Sequence, residues 1–450
     1  MSEPDTELRE FLGRHPAIEA AQLVITDPNG IGRGKLLARE ELAALYTRGR
    51  CVAGSILSLD TTGADVEGTG LVWTVGDADQ LCRPVPGTLS PASWLTRPTA
   101  QLLASLYTLE GEPAPADPRH ALARVVERAR AAGFEPVVAA ELEFYLLERA
   151  PGGGLQGAPG AEGMRTNAYG IGRLEELGPA FDDIYSAARA QGLPVRTLMS
   201  EYAPGQYELT LEHRADALRA IDEAVLLKRT IRGVASRHGL RACFMAKPFE
   251  ALAGSGLHLH LSLQDAGGRN VFAAEDPAGT PLLRHAIGGL RATLAESMAV
   301  FAPTANAYRR FRVGTYAPVA ATWGVNNRSV GLRVPAGPPE SRHIEHRVPG
   351  ADANPYLVAA VVLAGALHGI ERALDPGPAV EGNGYAQPAA PASTLPLHWP
   401  AAIERAGQSD FLSTALGERF LEVFLAIKRH ECERFGALVT NRDWEWYADI

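Results

Sequence analysis

Cysteine is scarce in this sequence: Cys51, Cys82, Cys243 and Cys432 are the only ones in 450 residues. They lack the close pairing that a zinc site or a redox dithiol requires. Long apolar runs are missing as well. The longest, Leu357 to Leu367, is too short to cross a bilayer and follows Asn354-Pro355, so it reads as a buried Ala/Val/Leu helix. The opening MSEPDTELREFLGRH has neither the basic nor the apolar region of a secretory signal. With reduced thiols, these absences predict a cytoplasmic protein without a membrane partner. Basic residues are in the minority, 43 Lys and Arg against 52 Asp and Glu, for a net charge of -9. That balance argues against nucleic acid as a partner, but it leaves open anionic small molecules, which need only a few arginines. No Walker A loop and no GxGxxG motif occurs, so any nucleotide has to be held by other means.

What is present is ordinary for a globular protein: 46% apolar and 21% charged residues, with no repeat of fixed period. Short β-type runs, AAQLVITDPNG, CVAGSILSLDTTG and GLVWTVGD, fill the first hundred residues, and DPNG is a hairpin signal. EGEPAPADP then reads as a linker, and Asp117-Pro118 opens a helix with Leu122, Val125, Val126 and Ala129 on one face. Further on, FEPVVAAELEFYLLE predicts a strand, and PGGGLQGAPGAEG (151–163) a mobile glycine-rich loop. FDDIYSAARAQG predicts a helix, MSEYAPGQYELTLE a strand pair and ADALRAIDEAVLLKRTIRGVASRHG a long amphipathic helix. RACFMAKPF and SGLHLHLSLQD predict strands. Because the strands suggest hairpins rather than βαβ units, the expected class is α+β.

Four segments concentrate chemistry. Glu141 and Glu143 alternate with Leu142 and Phe144, which on a strand puts both carboxylates on one face. Two like charges side by side invite a cation, although a solvated strand face carries the same pattern. Glu201 and Glu208 flank a Pro204-Gly205 bend that could bring them together. His258 and His260 alternate with leucines after a glycine-rich approach, and Glu345 stands between Arg342-His343 and His346-Arg347. Five carboxylates with an imidazole suit Mg²⁺ or Mn²⁺ better than zinc or copper. Arg309, Arg310, Arg328, Arg333 and Arg347 add forks that bind carboxylates and phosphates. Carboxylates that can hold a metal, facing arginines, point to phosphoryl chemistry on an anionic substrate.

These motifs resemble the type I glutamine synthetases. GSGLHLHLSL is similar to that family's Gly-Ser-Gly-Met-His-x-His-x-Ser block, EYAPGQYEL to its Glu-Val-Ala-Pro-Gly-Gln-His-Glu block, and NRSVGLRVP to its Asn-Arg-Ser-x-x-x-Arg-x-Pro block. IEHRVPGADANPYL resembles its Ile-Glu-x-Arg segment. The order matches too, over nearly the whole chain. DADQLCRPVPGTL, FMAKPF and the terminal WEWYADI bring the likeness nearest to the γ-glutamylputrescine and γ-glutamylpolyamine synthetases.

The resemblance implies an N-terminal β-grasp domain at 16–110 and a catalytic domain at 117–450 with an antiparallel sheet flanked by helices. It implies one metal on Glu143, Glu201 and Glu208, and a second, nearer the ATP phosphates, on Glu141, His258 and Glu345. Glutamate would rest on Gly254, His258, Arg310 and Arg347. His260 and Ser262 would lie toward the nucleotide, with Arg328 and Arg333 clamping the phosphoryl group. It also implies a homo-oligomeric ring, hexamer or dodecamer, with active sites shared between subunits. Two departures bear on the substrate. Tyr316 precedes Ala317-Pro318-Val319 where the family's flap carries a glutamate, and the ammonium-binding Asp-Gly-Ser-Ser block has only Leu59-Asp60-Thr61-Thr62 as a counterpart. An organic amine held by Glu201, Tyr169 and Tyr316, with Asp60 a further candidate, is therefore expected over ammonia. The alternatives are an ordinary glutamine synthetase and a non-catalytic regulator. Every metal-ligand position holds a competent residue, which opposes the latter.

Overall fold

The computed structural model describes residues 3–150, 153–158, 166, 168–386 and 394–450. The DPNG turn forms as expected. Asp27 Oδ1 accepts the backbone N–H groups of Asn29 and Ile31, both at 2.9 Å, and Gly30 takes the left-handed φ of +76° that closes the turn. It joins β1 (Ala20–Thr26) to β2 (Gly32–Ala38) as an antiparallel hairpin. With β3 (Arg50–Ala53), β4 (Asp79–Pro84), β5 (Ser90–Pro91) and β6 (Thr99–Tyr107) they make a six-stranded sheet of order β2-β1-β6-β4-β3, β5 pairing with β6. β1 and β6 run parallel and both are almost wholly apolar, because each is buried on two faces. Leu23, Ile25, Leu102 and Leu106 pack there with Phe11 and Leu42.

The expectation of a strand in GLVWTVGD is wrong. Residues Trp73–Val75 form a 3₁₀ turn between left-handed Gly70 and Gly76, with Trp73 and Val75 exposed. Val72 is buried and Leu71 packs against the first core, but with Trp73 and Val75 in solvent the run offers no continuous sheet face, so alternation alone does not make it pair. The 110–116 linker is also more ordered than its composition suggests. Ala114 N bonds Leu106 O, and Ala114 and Ala116 are buried in the first core. Asp117 caps the helix Pro118–Ala131 by accepting Arg119 N at 2.8 Å, and Leu122, Val125, Val126 and Ala129 are buried as expected.

The second sheet has nine strands: β7 (Glu135–Arg149), β8 (Leu155–Gly157), β9 (Val195–Ser200), β10 (Gln206–Leu211), β11 (Arg241–Cys243), β12 (Leu257–Gln264), β13 (Trp323–Val325), β14 (Leu332–Val334) and β15 (Ile344–His346). The order is β13-β14-β15-β12-β7-β10-β9, and β8 and β11 also pair with β7. All its pairs are antiparallel except β13–β14. Of the glycine-rich loop expected at 151–163, only 153–158 falls among the described residues. Leu142, Phe144, Leu209, Leu257, Leu259 and Leu261 point into the main core, where they meet the helices Ala217–Arg237 and Pro355–Glu371. Each such side chain contributes roughly 1.5–3 kcal/mol on burial. That surplus lets the opposite face carry charge.

Candidate active site

Strand register assembles the site. Glu141 lies opposite His258 across β7 and β12, and Ala139 lies opposite His260. Glu143 lies opposite Glu208 across β7 and β10. On the other side, Glu345 of β15 pairs with His260 of β12 and with Arg333 of β14. Glu201 joins from the β9–β10 turn, where its N–H bonds Gln206 O and Gly205 adopts φ +75°. Five strands thus bring together residues that the sequence spreads from 141 to 345.

The distances are short. His258 Nδ1 is 3.1 Å from Glu141 Oε2 and 3.7 Å from Glu345 Oε1, and its Nε2 is 3.6 Å from Glu143 Oε1. His260 Nε2 is 2.9 Å from Glu141 Oε1, without the alignment of a hydrogen bond. Two trios offer donor atoms all within 4.8 Å of one another: Glu141, Glu208 and His258, and Glu141, His260 and Glu345. Glu141 is central to both, whereas the sequence reading divided the ligands between Glu143/Glu201/Glu208 and Glu141/His258/Glu345.

Burial and charge split the carboxylates. Burial alone would raise Glu141, but His260 and His258 outweigh it and hold it well below the usual carboxylate range. Glu345 is likewise held down against burial, by Arg347 first and then by His258 and His260. Glu208 goes the other way: burial raises it, and repulsion from Glu141 and Glu143 adds to that. Glu201 is pushed up to about 7 by burial and by Glu143. Among the described residues no lysine or arginine forms an ion pair with Glu143, Glu201 or Glu208. A hard divalent cation fits this oxygen-rich, under-neutralised set.

Arginines border the carboxylates. Arg333 Nη1 donates to Glu345 Oε2 at 2.8 Å and Nη2 to Asn326 Oδ1 at 3.1 Å, while Arg347 pairs with the other Glu345 oxygen. Arg310 is buried and donates to the carbonyls of Val348 (2.7 Å), Pro349 (3.2 Å) and Arg347 (3.2 Å). A Cβ on Gly256 would stand 2.8 Å from His258 Nε2 and 2.9 Å from Arg310 Nη2, and one on Gly254 would stand 2.6 Å from Ala246 O. Only glycine lets this approach pass between the two groups. Ser262, buried, follows His260 on the same face of β12.

Other expected residues stand at the rim or elsewhere. Arg328 is exposed, and its charge reaches Glu201. Tyr169 and Tyr316 are 66% and 58% exposed and hold left-handed backbones at φ +62° and +56°, a conformation that costs a non-glycine residue about 1–3 kcal/mol. Tyr169 N bonds Ser200 O, beside Glu201. The Tyr385 hydroxyl donates to Ala317 O, next to Tyr316, and the charges of Arg347 and Arg310 reach it. Asp60 touches none of these. Its Oδ1 accepts Thr62 N (2.8 Å), Thr62 Oγ1 (2.7 Å) and Ala64 N (2.9 Å), and Oδ2 pairs with Arg434. Sequence reasoning gave no role to His213 or His343. The charged alternation around Glu345 is the signal that could have found His343, and His213 has no local signal.

A helix-backed antiparallel sheet with carboxylates, imidazoles and arginines on one face, joined to a smaller sheet, defines the glutamine synthetase-like class of ligases. Residues 115–447 match the family model described as glutamine synthetase, catalytic domain, and the chain belongs to the glutamine synthetase family. It is 39% identical to γ-glutamylputrescine synthetase PuuA of Escherichia coli (strain K12) over 446 residues, 98% of this chain and 94% of that one. It is 30% identical over 464 residues to the glutamate–isopropylamine ligase of a Pseudomonas species, covering 99% and 98%. The solved GmaS/ADP complex, in its conformation 1, superposes with a TM-score of 0.86 at 30% identity, covering 99% of this chain and all of that one. Among the described residues no helix is long and apolar enough to cross a membrane.

Proposed function

We propose that this chain is an ATP-dependent ligase that joins the side-chain carboxylate of L-glutamate to an organic amine through γ-glutamyl phosphate. The observation that carries the reading is the pairing of an under-neutralised carboxylate cluster with buried arginines across one sheet. Relatives that use putrescine and isopropylamine support an organic amine as the nucleophile. Mg²⁺ or Mn²⁺, held by Glu143, Glu201 and Glu208 and by Glu141, His258 and Glu345, would neutralise the phosphates and the transferring phosphoryl group.

The chain's own groups do the rest. Gly254, His258, Arg310 and Arg347 hold glutamate, whose carboxylate oxygen takes the γ-phosphoryl group as ADP departs. Arg328 and Arg333 stabilise the charge that moves, and His260 and Ser262 face the nucleotide. The amine nitrogen then attacks the acyl carbon, phosphate leaves, and Glu201 takes the surplus proton. Tyr169 and Tyr316 cover the amine's apolar part and its charge. In this reading residues 16–110 and 117–450 are two domains, and a ring of copies, hexamer or dodecamer, shares its sites between neighbours. Asp60 would serve the amine only from a neighbouring copy, and only when released from Arg434.

The test is ATP-dependent phosphate release with glutamate and a panel of amines. The kcat/KM for the best organic amine should exceed that for ammonia by about a hundredfold, or about 2.7 kcal/mol of differential transition-state binding. Tyr316→Glu, which restores a flap carboxylate, should narrow the gap. Ammonia matching every amine would make this a divergent glutamine synthetase instead.

A further inference from the structure

A second cluster borders the carboxylates. His213 follows β10, His260 lies in β12 and His343 immediately precedes β15. Their ring centroids are 5.5 Å (His213–His260), 5.1 Å (His213–His343) and 5.0 Å (His260–His343) apart. One nitrogen from each lies within 4.8 Å of the other two. The sheet explains the gathering. Ala139, opposite His260, carries only a methyl group, and Val138 bridges to Arg214, so β7 presents no bulk between His260 and His213.

A hydrogen bond fixes the tautomer of His343. His343 Nδ1 is 2.6 Å from Ser341 O, and a carbonyl accepts only an N–H, so its proton sits on Nδ1 and Nε2 keeps the lone pair. His260 Nε2 stands 2.9 Å from Glu141 Oε1, and neither of its buried ring nitrogens has an aligned hydrogen-bond partner among the described residues. A histidine whose one nitrogen donates to a carbonyl, as that of His343 does, presents the other as a ligand.

We propose that His213, His260 and His343 form a site for a borderline divalent transition ion such as Zn²⁺ or Co²⁺, separate from the carboxylates that suit Mg²⁺ or Mn²⁺. A donor set made only of imidazole nitrogens selects such ions over hard ones. At metal–nitrogen distances of about 2.0–2.1 Å the nitrogens must close to roughly 3.3 Å. His213, exposed and just past the end of its strand, can swing to close them. An ion bound there occupies His260 and so inhibits nucleotide use. That consequence rests on the function proposed above, but the site itself does not.

Titrating the intact protein with Co²⁺ in excess Mg²⁺, and following the visible absorption of imidazole-bound Co²⁺, reads the site without turnover. One equivalent per chain should bind, at least tenfold more weakly in His213→Gln and in His343→Ala. Circular dichroism checks that both variants fold, and His213→Gln, which alters an exposed ring, decides alone if His343→Ala does not. Unchanged Co²⁺ affinity in the variants, or no binding by the parent, overturns the site. Zn²⁺ should inhibit turnover with the same sensitivity to both substitutions. Co²⁺ binding that both substitutions weaken, without Zn²⁺ inhibition, supports the site and removes its link to the nucleotide.

Discussion

Glu143 and Glu208 face each other across β7 and β10, an arrangement that two ionised carboxylates disfavour. Glu143 is anchored by Gly256 N at 2.7 Å but has no arginine or lysine partner among the described residues, so removing it leaves no cation stranded. Glu143→Ala should therefore fold, by circular dichroism and thermal unfolding, yet lose at least about a hundredfold in kcat. Near-normal turnover would remove the carboxylate–metal reading. Glu201 gives a pH signature. Its ordinary carboxyl value near 4.3 rises to about 7 in the metal-free fold, so the fold prefers it protonated. The associated stability is full below about pH 4.3 and is lost as pH rises through about 7. In chelator, the melting temperature of Glu201→Gln should gain on that of the parent between pH 5 and 8, and saturating Mg²⁺ should erase the trend. A difference independent of pH would contradict this account.

At the scale of elements, the helix Glu418–Gly436 is fastened to the loops of the first sheet. Its Val423 and Ile427 enter that sheet's core. Lys428 Nζ, fully buried, bonds Asn29 Oδ1 and, at 2.7 Å, Glu431 Oε2. Glu431 Oε1 accepts Asn29 Nδ2 at 3.1 Å and Thr61 N at 2.8 Å. Removing the lysine leaves Glu431 buried with its charge uncompensated, which typically costs about 3–5 kcal/mol. Lys428→Ala should lower the urea midpoint accordingly, and Lys428→Ala/Glu431→Gln should recover part of the loss. Equal midpoints for parent and single variant would show that water already reaches the pair.

For the whole molecule, the proposed ring would let Asp60, which pairs with Thr62 and Arg434 in its own chain, serve the site of a neighbouring copy. The C-terminal segment leaves Leu438, Val439, Trp444, Trp446, Tyr447 and Ile450 each more than half exposed, a concentration of apolar side chains unusual for an isolated chain. Light scattering should show a closed homo-oligomer, because a head-to-tail contact that repeats and closes makes a ring. A monomer with full activity would remove the shared-site reading.

The alternation Glu141-Leu142-Glu143-Phe144 determines by itself that both carboxylates share a face, because side chains on a strand alternate with a period of two. Asp117-Pro118 and the apolar periodicity after it likewise determine a helix, since cap and face are local properties. Four ordered motifs were enough to place the chain in its family. The tertiary structure decided the rest. Which carboxylate meets which imidazole depends on the register of β7 against β10 and β12, set by packing between segments that lie far apart in sequence. The same packing turned GLVWTVGD into a turn, drew Asp60 to Arg434 and gathered His213, His260 and His343. No local pattern encodes these outcomes, because each is decided by partners contributed from a distance.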